Sequence, residues 1–117
     1  MSKLIGIIGA MDIEVDGVVA EMKNTTTEQV GSMKFILGEL YDKSVVVCKC
    51  GIGKVFAGIC AEAMILKYNP VAIVNTGVAG ALSEKLSVLD AVIATDVVQH
   101  DMDTSPLGDP VGLISGI

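Results

Sequence analysis

The sequence predicts an α/β domain, and three observations carry that prediction. Short aliphatic runs alternate with segments of helical period, glycines stand where the runs end, and the apolar mass is Val, Ile, Leu and Ala, with only 3% aromatic residues and no Trp. Such a mix suits parallel strands covered on both faces by helices, where strands read as continuous aliphatic runs.

Lys3 to Gly9 (KLIGIIG) reads as a short buried strand. From Asp12 the period changes: Val15, Val18, Val19 and Met22 fall at i, i+3, i+4 and i+7, one face of a helix ending near Lys23-Asn24. Asn24 to Gln29 is polar throughout and reads as a connection. Met33 to Leu37 and Ser44 to Lys49 read as strands joined in a hairpin around Tyr41-Asp42-Lys43. Gly51-Ile52-Gly53 breaks the run and opens a second helix, whose Val55, Ile59, Ala63 and Leu66 keep a helical stripe until Asn69-Pro70 ends it. Two further aliphatic strands follow: Val71 to Asn75, ending in Thr76-Gly77-Val78-Ala79-Gly80, and Ala91 to Val98, ending in Gln99-His100-Asp101. The order is β-α-β-β-α-β-β. Ligands of open α/β sheets collect at the carboxyl ends of strands, and three such ends carry glycine turns here, at Gly9, Gly51 and Gly77.

The chain's 117 residues give room for one domain. Eight cations against 14 acids leave a net charge of −6, and every cation is a lysine. An acidic chain without arginine lacks the positive patch of a nucleic-acid binder. At 51% hydrophobic and 19% charged, it can bury enough apolar area to offset its ordering entropy, which excludes disorder. No uncharged apolar stretch approaches the roughly 18–20 residues of a membrane span, and Met1-Ser2-Lys3-Leu4 leads straight into a strand rather than a signal peptide, so the cytoplasm is expected. Cys48, Cys50 and Cys60 are odd in number and lie in apolar segments, which suits buried reduced thiols. With His100 the only histidine, no zinc set of about four ligands is available, and no metal is expected. The end, Pro110 to Ile117, is apolar and reads as a chain cut inside a fold.

Single motifs decide little. Gly51-Ile52-Gly53-Lys54 fails as a phosphate loop, because Cys48 and Val55 hold the places of the first glycine and the hydroxyl residue. It fails as a dinucleotide fingerprint because Phe56 replaces the third glycine. Asp12, Glu14 and Asp16 open a helix, where acids favour the dipole; Glu14 also lies just past a strand end, where a carboxylate can act as a general base. His100 beside Asp101 suits either an acid–base pair or a structural hydrogen bond.

Four segments together match one family in order and spacing: Gly6-Ile7-Ile8-Gly9-Ala10-Met11-Asp12-Ile13-Glu14, Gly51-Ile52-Gly53-Lys54-Val55, Asn75-Thr76-Gly77-Val78-Ala79-Gly80 and His100-Asp101-Met102-Asp103. Across almost its whole length the chain resembles the N-terminal half of the methylthioadenosine/S-adenosylhomocysteine nucleosidases, of the nucleoside phosphorylase superfamily. The resemblance implies a nucleoside phosphorylase-like fold, a mixed twisted sheet flanked by helices, with residues 1–117 the N-terminal part of a single domain. It implies a homodimeric hydrolase of the N-glycosidic bond, acting on a small nucleoside without cofactor and releasing adenine through an oxocarbenium-like transition state. Glu14 stands at the family's water-activating glutamate. Ala10 and Met11 fall on the ribose side, Ile52 at the pocket for the sulfur-bearing tail, and Val78, Ala79 and Gly80 on the turn beneath ribose and base.

Two positions depart from the pattern. Val78 stands where many members have serine, and Leu107 where an aromatic residue of the partner subunit often covers the sulfur substituent. The resemblance places the family's ribose-gripping Met-Glu pair and its leaving-group Asp in the C-terminal half, so the chain as given is expected to be inactive by itself. Two other readings stay open. One is a nucleoside phosphorylase, although those enzymes draw phosphate-binding arginines partly from this half and the chain has none. The other is a non-catalytic nucleoside-binding or interaction module.

Overall fold

The structure, a computed structural model, describes residues 3–113; Met1, Ser2 and the closing apolar residues Ile114 to Ile117 lie outside the described residues. Residues 1–80 and 81–117 form two separate compact units. The first holds β1 (Ile5–Gly9), α1 (Asp12–Glu21), β2 (Lys23–Val30), β3 (Met33–Leu40), β4 (Lys43–Lys49), α2 (Lys54–Tyr68) and β5 (Ala72–Asn75). Their five strands form one sheet in the order β2-β3-β4-β1-β5. β1 runs parallel to both β4 and β5, while β2, β3 and β4 form an antiparallel meander, so the sheet is mixed.

Period-2 alternation sends each strand's aliphatic residues to both faces. Ile8, Phe35, Val46 and Cys48 meet Cys60 and Met64 of α2 in one core. Ile7, Val45 and Val47 meet Val15 and Met22, from α1 and its C-cap, in the other. The helices therefore cover opposite faces, and the two-sided strands read from the sequence are the central ones. The expected face of α1 is the one it buries: Val18 and Val19 pack beside Val15 and Met22. Between β3 and β4, Leu40 pairs with Lys43 across Tyr41 and Asp42, both at positive φ (45° and 64°), the two-residue turn whose twist matches a hairpin.

Three sequence expectations are corrected. Asn24 to Gln29 is not a connection but most of β2. As an edge strand exposed on both faces it needs no apolar alternation, and it is held by its ladder to β3 and by Glu28, which accepts a hydrogen bond from the Tyr68 hydroxyl at 3.0 Å and pairs with Lys67 at 2.6 Å. On α2 the residues packed on the sheet are Ala57, Cys60, Ala61, Ala63, Met64 and Tyr68, so that of the expected stripe Ala63 packs inward whereas Val55, Ile59 and Leu66 face solvent. Ala91 to Val98 forms no strand: a strand needs a ladder, none includes these residues, and Val92, Ile93, Val97 and Val98 stay exposed.

The described residues of the second unit form turns, among them Leu86 N–H to Ser83 O (3.1 Å), a short 3-10 helix at Ser105–Leu107, and a longer-range bond from Gly112 N–H to Met102 O (2.8 Å). Among the described residues, no helix is long and apolar enough to cross a membrane.

The α2 core has little slack. A Cβ on Gly6 would collide with Sδ of Met64, which is fully buried, and come within 3.2 Å of Ile73 Cγ1. Gly6→Ala should therefore destabilise by about 1–3 kcal/mol through overpacking. Phe35→Ala, which empties a fully buried ring site, should cost about 3–5 kcal/mol. Urea unfolding monitored by circular dichroism measures both; losses below about 0.5 kcal/mol, the scale of surface substitutions, would contradict this packing.

Candidate functional site

Because β4, β1 and β5 are parallel, their carboxyl ends lie at one edge of the sheet. Two backbone bonds stitch the chain together just past those ends: Cys50 N–H to Gly9 O and Thr76 N–H to Ile8 O, both 2.9 Å. α1 leaves from β1, and α2 carries the chain from β4 across to β5 on the far side of β1, the strand-order reversal at which open α/β sheets form a crevice. A cleft of about 300 Å³ opens there. Ala10 and Glu14 line it from β1 and α1, Cys50, Gly51, Gly53 and Lys54 from the β4–α2 turn, and Asn75 to Val78 from the end of β5.

Glu14 is the centre of this cleft. It occupies the third position of α1, from which its side chain turns back over the helix start. Its Oε2 accepts hydrogen bonds from Ala10 N–H (2.7 Å) and Met11 N–H (3.0 Å), and Oε1 accepts one from Val78 N–H (3.1 Å). The first two are helix capping, which a glutamate at this position commonly supplies. The third comes from a residue 64 positions away in sequence and has nothing to do with the helix. A carboxylate has about four acceptor sites, so three donors leave one, on Oε1, for a ligand or water in the cleft. The Val78 N–H above all, against partial burial and with help from Met11 and Ala10, holds Glu14 below the ordinary carboxylate range. The carboxylate is thus ionised at neutral pH, fixed in place, and able to accept one more hydrogen bond.

The rest of the cleft is neutral or cationic. Burial pushes the Cys50 thiol up, so it presents an uncharged wall; Cys48, Cys50 and Cys60 are all buried and free. Lys54 is the cleft's cation. Size alone does not choose this site. A cleft of about 340 Å³ between α1 and the sheet is larger; Asp12, Asp16, Lys34 and Lys49 line it, and of these Asp12 and Lys49 pair with one another at 2.7 Å. Another of about 360 Å³, within residues 97–113, is lined by Val97, Val98, Pro110 and Val111 and offers Gln99 as its only polar side chain. Among the described residues no group of three or more His, Cys, Asp and Glu could hold a metal ion.

Of the residues singled out from the sequence, the structure brings Ala10, Glu14 and Val78 to the cleft, with Met11 contributing its N–H. Val78 acts through its backbone; its side chain is exposed, so the serine-to-valine departure leaves the donor to Glu14 intact. Ile52 lies between two lining glycines with its side chain exposed, and Ala79 and Gly80 follow Val78 in the same turn. Leu107 and His100 belong to the second unit, and the Leu107 side chain is exposed. Cys50, Asn75 and Thr76 line the cleft without having been read as site residues. Their position directly after strands β4 and β5 was the available signal.

The family model of the phosphorylase superfamily matches residues 4–115. The chain belongs to that superfamily. Among its relatives in sequence is the 5'-methylthioadenosine/S-adenosylhomocysteine nucleosidase of Shewanella oneidensis, 45% identical over 108 residues, which cover 92% of this chain and 46% of the relative. In structure, the nucleosidase of Neisseria meningitidis, solved in complex with methylthio-immucillin-A, superposes with a TM-score of 0.94 at 33% identity, over 98% of this chain and 50% of that one. The nucleosidase of Colwellia psychrerythraea, solved in complex with adenine, gives 0.95 at 32% identity, over 98% and 48%. Futalosine hydrolase of Helicobacter pylori gives 0.90 at 31%, over 100% and 51%. The chain therefore has the mixed-sheet fold of these superfamily members and spans about half the length of the relatives it matches.

The geometry of Glu14 sets a pH dependence. Its folded-state pKa lies below its unfolded one, so its clasp contributes stability that is fully present above the ordinary glutamate value of 4.5 and is lost as pH falls through the lowered folded value. Glu14→Gln lacks this titration. The stability difference between wild type and Glu14→Gln should be constant near neutral pH and should shift against wild type on acidification below 4.5, in urea titrations from about pH 7 to about pH 3. A difference independent of pH would contradict the clasp.

Proposed function

We propose that this chain is the water-orienting part of a nucleosidase, and that the protein carrying it hydrolyses the N-glycosidic bond of 5'-methylthioadenosine or S-adenosylhomocysteine to release adenine. The observation that supports this most is the Glu14 carboxylate, ionised, held by three N–H donors and left with one acceptor site at the cleft. A water donating to Oε1 would have its lone pair directed into the cleft, toward an anomeric carbon developing oxocarbenium character. The lowered pKa makes Glu14 a weak base toward bulk water; its work is to fix the nucleophile and to accept a proton from the attacking water as its bond to the anomeric carbon forms and it becomes strongly acidic. The relatives' complexes with adenine and with methylthio-immucillin-A support the choice of substrate class, and the 45% sequence identity to a nucleosidase favours it over the futalosine hydrolase fold relative.

Adenine leaves readily only when protonated. On the family resemblance that acid, with the ribose-gripping pair, lies in the C-terminal half, and Glu14 cannot serve both as acceptor for water and as acid for the base. The 117 residues by themselves are then catalytically silent, as the N-terminal part of a single domain. Ala10, Met11, Val78, Ala79 and Gly80 would lie along ribose and base, and Ile52 along the sulfur-bearing tail. No cofactor is called on. The exposed stripe of Ile52, Val55, Phe56, Ile59 and Leu66 on and before α2 supports a homodimer, within which Leu107 would cover the sulfur substituent of the partner's substrate. Free buried thiols suit a reducing compartment, and we assign the protein to the cytoplasm.

The test joins this chain to the C-terminal half of the Shewanella oneidensis relative and follows adenine release from methylthioadenosine. Turnover should appear without phosphate, be absent from the chain alone, and fall by about 10²–10⁴ in Glu14→Gln, the usual contribution of general-base help. Turnover that requires phosphate and yields ribose 1-phosphate would assign a phosphorylase instead.

A further inference from the structure

We infer that Gly77 is a positioning residue for Glu14: it leaves empty the space that the carboxylate occupies, and a side chain there would displace the carboxylate rather than the backbone. The role of Glu14 in the reaction rests on the reading above; its position does not.

A Cβ built on Gly77 would stand 2.7 Å from Oε1 of Glu14, closer than real Cβ atoms come, and a tight 3.1 Å from its Cδ, and the third neighbour is Oε2 of the same group at 3.5 Å. One carboxyl group accounts for all three of the nearest neighbours. Other glycines of the site are required for different reasons. Gly51 and Gly53 adopt φ of 95° and 105°, conformations that strain any side chain. Gly9 is blocked at 2.7 Å by Cγ1 of the buried Val15, so a side chain there would press on the core. Gly77 has neither constraint: its φ lies outside the left-handed region, and its obstacle is the far end of a flexible, partly exposed side chain. A turn does not need glycine there, and core packing does not need it. The carboxylate does.

The consequence is local. With alanine at 77, Glu14 can swing away and the rest of the fold keeps its packing. Oε1 then loses the Val78 N–H, the donor supplied by the adjacent residue of the same turn. Gly77 and Val78 thus act as a pair, one providing the gap and the other the hydrogen bond. The remaining ionisable groups around Glu14 are the Cys50 thiol and Lys54 ammonium in the cleft, with Asp12 and Asp16 on its own helix and Lys49 bound to Asp12. All of them are unchanged by a substitution at 77.

The experiment labels glutamate carboxyl carbons with ¹³C and titrates Glu14 by NMR in the chain, comparing wild type, Gly77→Ala and Gly17→Ala. Gly17, on the same helix as Glu14, has nothing within 4 Å of its Cβ position and is the control. Gly77→Ala should raise the Glu14 pKa toward 4.5 and lower the melting temperature no more than Glu14→Gln does, while Gly17→Ala leaves that pKa in place. An unshifted Glu14 in Gly77→Ala overturns the inference, and so does loss of the fold, since that would make Gly77 a packing residue. In the joined protein described above, Gly77→Ala should lower kcat by up to about 10²-fold with KM little changed, the scale of a misplaced reacting group. If Glu14's pKa moves and kcat does not, positioning stands and the water-activating role of Glu14 falls.

Discussion

The Glu14 carboxylate collects its three backbone donors from two separate turns of the chain, and that convergence organises the first unit. Glu14 draws Ala10 and Met11 N–H from the start of its own helix and Val78 N–H from the end of a different strand. Those donors converge only if β1 and β5 are parallel neighbours ending at the same height, which the pairing of Ile8 with Asn75 and the bond from Thr76 N–H to Ile8 O provide. Parallel neighbours in turn need a crossover, and α2 supplies it by carrying the chain from β4 over one face while α1 covers the other. The two cores are what this arrangement requires, and they are what the aliphatic runs supply.

The same constraint explains how a helix-capping residue acquires a second role. An acid in the first turn of a helix is ordinary, and the dipole accounts for it. The distant donor is not ordinary, because a carboxylate serving only as a cap would be as well served by water. By bonding to Val78 N–H, Glu14 ties the turn after β5 to the turn after β1 and keeps one lone-pair direction for the cleft. Stability and chemistry are joined at one side chain, and acid, which protonates it, should loosen both.

What was legible in the sequence follows from which residues report on local structure. Val15, Val18, Val19 and Met22 announced α1 and its buried face, and the aliphatic runs of β1 and β4 announced strands buried on both sides, while the similar run of β5 forms an edge strand that stays largely exposed. β2 was not legible because an edge strand with both faces in water has no alternation to show; Thr25-Thr26-Thr27 was its one β-favouring hint. On α2 Ala57, Cys60, Ala61, Ala63 and Met64 pack against the sheet while Val55, Ile59 and Leu66 point outward, so of the stripe read from hydrophobic spacing only Ala63 lies on the buried face. Ala91 to Val98 has strand composition without a ladder, and composition carries no information about partners. Glu14 was legible as a candidate from its place after a strand, and as a functional group only by family resemblance; the donor from Val78, 64 residues on, is a tertiary fact.

The central claim is that Ala10, Met11 and Val78 share one carboxylate. Amide proton shifts of these three residues, followed by NMR while the chain is acidified, test it most directly. They should titrate together, with a single midpoint below the ordinary glutamate value of 4.5, and should stop titrating in Glu14→Gln. A Val78 amide that ignores the transition seen at Ala10 and Met11 would contradict the account, since it would reduce Glu14 to the cap of its own helix.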